Sequence, residues 1–380
     1  MSRLFSCLNF VKSVNIRIFI IFVLCFVAVP IYAQEINSIQ RAKVVEIISE
    51  QKNVILEEVG KGVDVLNQKL LVEIIDGAEK GKRITLSNDY IKLEKEDMFF
   101  IEKISLEGEG EYIVRERDRQ FPVLILLGIF LLAIIAFGGK QGLRSVLSLV
   151  GGFFVIIYLL LPMLTKGYSP ILVSVGFASI ILFIAIYFTH GFNRESSVAF
   201  FGTFTAVILT GFLAFFSVYI MQLTGFDSEE ASFLNVGNAV KLNFKGLLLG
   251  GILIGVLGIL DDIAVTQAAV VSEIYNSSES LSAKDVYKKA MRVGREHVSA
   301  LVNTLVLAYT GASLPLLLLF SNYDYPFRFI ISQELFATEI VRTIVGSIGL
   351  VLTVPITTFL AVHLLKGYKG KSALGHGHRH

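Results

Sequence analysis

Residues 244–274 read FKGLLLGGILIGVLGILDDIAVTQAAVVSEI. From Leu247 to Leu260 this run carries no charge, and then it meets two adjacent aspartates, Asp261 and Asp262. Its length suffices to cross about 30 Å of hydrocarbon as a helix. Helix is the default there, because hydrocarbon offers no water to satisfy a bare backbone. Gly246 and Gly250 are four apart, as are Gly251 and Gly255. Small residues at that spacing let helices approach closely.

Working outward, six more apolar runs have similar character: Phe121 to Phe137, Val146 to Leu164, Ile171 to Thr189, Val198 to Leu223, Val298 to Phe320 and Ile340 to Leu365. The expectation is a polytopic α-helical membrane protein with about seven spanning helices across 121–365. Composition agrees: 54% of residues are hydrophobic and only 17% charged, against about 25% charged in soluble domains. Basic residues collect between runs rather than on a face, so a nucleic-acid partner is not expected. The partners expected are membrane lipid and a small solute or ion. Oligomeric state is open.

Ahead of these runs, Arg3, Lys12 and Arg17 precede an apolar stretch from Ile18 to Val29, and Ala33 follows. Residues 1–33 thus read as a signal peptide cut after Ala33, or as an uncleaved anchor. Both cysteines, Cys7 and Cys25, lie in this leader. Its removal excludes disulfides, thiolate metal sites and a cysteine nucleophile. Residues 34–118 then change character, with frequent charge and glycine turns at Gly77 and Gly81. Short strands are expected at Leu70 to Ile75, Ile84 to Leu86, Ile91 to Leu93 and Phe99 to Ile104, making a small extracytoplasmic β domain.

With residues 34–118 outside, Lys140, Arg144, Arg194, the five basic residues from Lys284 to Arg295, and Lys366 fall inside. Lys and Arg are then richer on the inner side, as the positive-inside rule requires. The expected C-terminus, 366–380, is a cytoplasmic tail. It ends GHGHRH from Gly375, a weak metal motif that reads here as a plain terminus. His190 and Arg194 are expected in a solvated loop.

An aspartate within hydrocarbon costs at least ~2.5 kcal/mol on insertion scales, so such acids often mark ion pathways. On a helix Asp262 aligns with Thr266, and Asp261 with Gly258. Two readings stand open: cavity acids, or caps at a helix break. The run from Val298 adds Asn303, Thr304 and Thr310, either as helix-pairing groups or as pathway lining with Asp262. Gly311 and Pro315 are placed to open the backbone there. Candidate pathway residues are therefore Asp261, Asp262, Thr266, Gln267, Asn303, Thr304 and Thr310, with Gly246, Gly250, Gly251 and Gly255 for packing. Glu339 and Arg342, three apart, are expected to pair. Pro355 is expected to kink its helix.

The segments GILIGVLGILDDIAVTQAAVVSEI (251–274) and HVSALVNTLVLAYTGASLPLLL (297–318) resemble the signature stretches of the YibE/F-like bacterial membrane proteins. That resemblance covers about 121–365 and implies a multi-pass bacterial plasma-membrane protein. It adds little on function. A transporter or permease is the first expectation. The second is a non-transporting scaffold or sensor whose β domain binds an envelope partner. An enzyme is not expected, because Glu273 shares a helix with Asp262 and no Walker motif is present. No cofactor or metal is expected.

Overall fold

The computed structural model describes residues 39–56, 62–106, 109–166, 168–227, 231–234, 243–277, 281–322 and 325–368. The leader and the histidine-bearing tail lie outside the described residues. The chain divides into two compact units, the first ending at Ile129 and the second beginning at Phe130.

The described residues of the first unit form five strands: β1 (Ile39–Leu56), β2 (Gly62–Ile74), β3 (Arg83–Asn88), β4 (Met98–Leu106) and β5 (Glu109–Arg117). They form one antiparallel sheet in the order β3-β2-β1-β4-β5. The period of two decides which side is buried: Leu70, Val72 and Ile74 are fully buried, opposite Ala42 and Val44 of β1 and Phe99 and Ile101 of β4. Register shifts after Val44 and Ile47 bend β1, as bulges do. The edge strands β3 and β5 approach one another, giving a half-barrel. The β2–β3 turn needs its glycines, since Gly77 and Gly81 take φ of 79° and 85°.

Two strand expectations change. β1 and β5 were not foreseen, because their charged residues break the apolar alternation. Ile91 to Leu93 is not a strand. It is a loop in which Leu93 is fully buried, held by Gln68, whose side chain accepts from Leu93 N at 3.0 Å and donates to Leu93 O at 2.9 Å. One buried amide thus replaces a ladder.

The second unit is helical. The chain enters it within α1 (Gln120–Phe154), which continues through a π-helical stretch, Val155–Leu160, into α2 (Leu161–Thr165). Next come α3 (Pro170–Phe183), extended by π-helical Ile184–Phe188, then α4 (Arg194–Ile220) and α5 (Phe244–Ser277). The remaining elements are α6 (Ala283–Ala312), α7 (Leu314–Ser321), α8 (Phe327–Ser332) and α9 (Glu334–Leu364). Among the described residues, five helical stretches are long and apolar enough to cross a membrane, or six when the bent pair α6–α7 counts as one span. The expectation of about seven is thus not met by this count. The difference arises at Gln120–Thr165, a single helical stretch of 46 residues. Two sequence runs merge there, although Gly139 interrupts the helix with φ 53° and ψ −127°.

α4, α5 and α9 pack on one another, with α3 against α5 and α6 against α9. Helix ridges of small residues let them do so. The α4 positions Ala199, Gly202, Thr203, Ala206, Val207, Thr210 and Ala214 are all buried and recur at helical spacing. At three places a hydroxyl occupies the site a glycine leaves open. Thr357 Oγ1 lies 2.4 Å from where a Cβ on Gly202 would stand, Thr210 Oγ1 2.3 Å from that on Gly349, and Ser174 Oγ 2.5 Å from that on Gly250. The outward faces remain apolar: Leu172, Phe212, Tyr219 and Phe359 are exposed. α9 runs through Pro355 without a break in its helical assignment.

Candidate functional site

Helical periodicity places Ile254, Leu257, Gly258 and Asp261 on one face of α5. In the structure that face looks into a cavity of about 350 Å³, which Asp262 also lines. The opposite walls come from α1 beyond the Gly139 break and from the end of α3. The first contributes Ser145, Ser148, Leu149, Gly152 and Phe153, the second Ile181, Thr189 and His190. Both π-helical stretches contribute, through Ile156 and Ala185. Such insertions often re-aim side chains at functional sites. Gly151 lets α1 approach closely, with Ile184 Cγ2 3.3 Å from where its Cβ would be.

The lining is divided chemically. Ser145, Ser148, Thr189, His190 and the two aspartates are polar, and the rest is mostly aliphatic or aromatic. A Cβ built on Gly258 meets nothing within 4 Å, so the glycine leaves space directly beside Asp261. Asp261 is half-buried and Asp262 exposed. Neither carboxylate has a hydrogen bond or ion pair among the described residues. Partial desolvation lowers the pKa of His190, and the nearby charge of Asp262 opposes that shift. The arrangement suits binding a proton or a cation. Among the described residues, no group of three or more His, Cys, Asp or Glu is placed to hold a metal.

The other candidate residues are placed differently. Gln267 is buried away from the cavity and ties three helices: its Nε2 donates to Ala290 O of α6 at 2.9 Å and to Thr358 Oγ1 of α9 at 2.8 Å. Thr266 is half-buried, and Asn303 and Thr304 are exposed on α6. Thr304 Oγ1 donates to Ala300 O at 3.0 Å within its own helix. Thr310 lines a second cavity, described below. The structure therefore does not bring α6 polar groups to the aspartates. Of the packing glycines, Gly250 meets Ser174 and Gly255 lies against Tyr309 OH, while Gly251 faces open space. Gly246 is buried.

Ser145 and Ser148 are cavity residues with no role expected from the sequence. The two serines and Gly152 recur at helical spacing in an otherwise apolar run, a signal of a polar stripe. His190, expected in a solvated loop, is exposed as expected and also lines the cavity. Arg194, expected in the same loop, instead opens α4 and sits 5.4 Å over the ring of Tyr368.

A family model for YibE/F-like proteins matches residues 126–367, which include every wall of this cavity. The chain belongs to the YibE/F-like family. No curated protein and no solved structure matches it significantly. With family and apolar helices together, this YibE/F-like chain is a membrane protein.

The YibE/F-like chain has a second cavity, of about 240 Å³, between the α6–α7 bend and α9. Its polar lining includes Tyr309, Thr310, Ser313, Glu339 and Thr343. Glu339 pairs with Arg342 and accepts from Ser313 Oγ at 3.2 Å. Glu334 at the start of α9 accepts from Thr224 Oγ1 at 2.8 Å and Gly225 N at 2.8 Å. Acid at a helix N-terminus is favourable.

Proposed function

We propose that this YibE/F-like protein is a transporter or permease that moves a proton or small cation through the cavity bearing Asp261 and Asp262. One observation carries the reading: two carboxylates with no hydrogen bond or ion pair among the described residues face a cavity from mid-helix. An ionised carboxylate within hydrocarbon is costly, and carrying two without a hydrogen bond or ion pair is understandable when a transported cation is the partner. Ser145, Ser148 and Thr189 would supply further oxygen ligands, and His190 would relay or repel charge at the mouth. The role is binding and passage, without covalent chemistry.

The reading places the chain in a bacterial plasma membrane with seven spans. Its support is the Gly139 break, which divides the stretch from Gln120 to Thr165 in two, together with α6–α7 taken as one bent span. The β domain then lies outside the cell and the C-terminus inside, with Lys140, Arg144 and Lys284 to Arg295 on the inner side.

The second reading is a scaffold or sensor. It draws on the hollow of about 410 Å³ in the β domain, edged by Lys43, Glu73, Lys80, Arg83 and Glu96. A charged hollow of that kind suits a charged envelope partner.

Reconstituted full-length protein in vesicles, with an imposed potential and a pH-sensitive dye inside, separates the two. Transport requires a flux that Asp262→Asn abolishes while the protein stays monodisperse. Undiminished flux in both Asp262→Asn and Asp261→Asn removes this site from the pathway. A phenotype lost on deleting 34–118, with both acid variants silent, favours the scaffold.

A further inference from the structure

We infer that the second cavity is a binding site for a small monovalent cation, held at the broken helix α6–α7 by Glu339, Ser313 and Thr310. The axes of α6 and α7 differ by 63° across Ser313. A helix that ends within the bilayer presents a partial negative charge at its C-terminal carbonyls. Pro315 strengthens this effect. It has no N–H, so the carbonyl of Gly311, four residues earlier, lacks its regular helical donor and accepts only a shared N–H from Ser313. Gly311 itself has open space where a side chain would be. Broken spans with exposed carbonyl ends are a recurrent way to bind sodium in membranes.

The side chains match that polarity. Glu339 faces the same cavity as Tyr309, Thr310, Ser313 and Thr343. One of its oxygens takes Arg342, and the other accepts from Ser313 at 3.2 Å. That second oxygen is available to a cation once the serine hydroxyl turns its lone pair inward. The polar groups supplied are hard oxygens, set in an otherwise apolar wall of Leu316, Leu317, Phe336, Ile340 and Ile344. The one carboxylate is balanced by Arg342, so the ion's own charge is met by the carbonyl end of α6 alone. That partial charge suits a monovalent ion, since divalent ions favour several carboxylates. This site is separate from the Asp261 cavity and does not depend on flux through it.

The test is binding of radioactive sodium to the full-length protein in detergent, in a scintillation proximity assay. Wild type is expected to bind saturably, with displacement by unlabelled sodium and none by choline. Glu339→Gln should abolish the signal. Ser313→Ala, which leaves the Glu339–Arg342 pair intact, should weaken it about tenfold, as loss of one bond to a charged group does. Asp262→Asn should bind as wild type, which keeps this result distinct from a failure of the transport reading. Absence of saturable binding in wild type overturns the inference. So does wild-type affinity in Ser313→Ala and Glu339→Gln together.

Discussion

The side-chain amide of Gln267 on α5 reaches the hydroxyl of Thr358 on α9 at 2.8 Å, and its other contact is the carbonyl of Ala290 on α6. Gly294 makes room for it, since a Cβ there would fall 3.0 Å from Gln267 Oε1. Interhelical bonds of this kind contribute modestly, about 0.6 kcal/mol on average and up to about 1.7. Gln267→Leu should therefore lower the thermal midpoint in detergent by a few degrees and leave cation flux in vesicles unchanged. Lost flux at an unaltered midpoint would return Gln267 to the pathway.

Gly258 should behave in the opposite way. Nothing lies within 4 Å of a Cβ built there, and the space belongs to the cavity beside Asp261. Replacing a helix glycine also gains about 0.8–1 kcal/mol of propensity. Gly258→Leu is expected to fold at least as stably as wild type and to cut flux severely. The check is a thermal midpoint and a flux assay on one preparation.

The glycine–hydroxyl contacts predict a compensating pair. Gly202→Ala would drive a methyl into Thr357, whose Oγ1 stands 2.4 Å from the new carbon. Overpacking of this kind costs about 1–3 kcal/mol. Thr357→Ala in the same chain should recover much of that loss, because contacting residues couple. Additive destabilisation in the double variant would mean that α4 and α9 do not meet here.

In the β domain, Lys103, Tyr112 and Lys82 all approach Glu79 and hold its carboxyl down at about 2, with Lys103 the largest influence and burial opposing. A depressed acid contributes stability that is complete above its ordinary pKa, 4.5, and is lost as pH falls toward 2. The domain should thus weaken between those pH values, and Glu79→Gln should remove part of that dependence. The chain has no tryptophan. Tyr90→Trp, at an exposed position, therefore gives a single fluorescence reporter for denaturation against pH. Identical acid profiles with and without Glu79 would contradict the prediction.

The proposed seven-span topology turns on Gly139. Its φ of 53° with ψ of −127° is a conformation that a side chain resists. A Cβ on Gly142 would meet Ile134 O at 2.3 Å, a contact between residues eight apart that a straight helix does not make. The chain therefore folds back. Once Cys7 and Cys25 are replaced, single cysteines label without background. Lys140→Cys and Tyr168→Cys should react with impermeant maleimide from opposite sides of the membrane. Labelling from one side would dismiss the split and the seven-span reading.

Much of this was legible in the residues. The apolar runs, the family signature, and the alignment of Asp261 with Gly258 all follow from hydropathy and the 3.6-residue turn. The partner of that face was not. Asn303 and Thr310 pointed to α6, whereas the cavity is closed by α1 and α3 through Ser145, Ser148 and His190. Charged residues likewise hid β1 and β5, whose pairing comes from partners far along the chain.

By itself, then, the sequence determined that this chain fills a membrane with helices and that one of them carries acids on a definable face. A residue's neighbours along the helix and its affinity for water are local properties, readable without coordinates. Which helix meets that face, where Gly139 turns the chain back, and whether Gln267 binds or packs were decided only by tertiary structure. Those depend on close approach between distant segments, set by glycine gaps filled from the neighbouring helix.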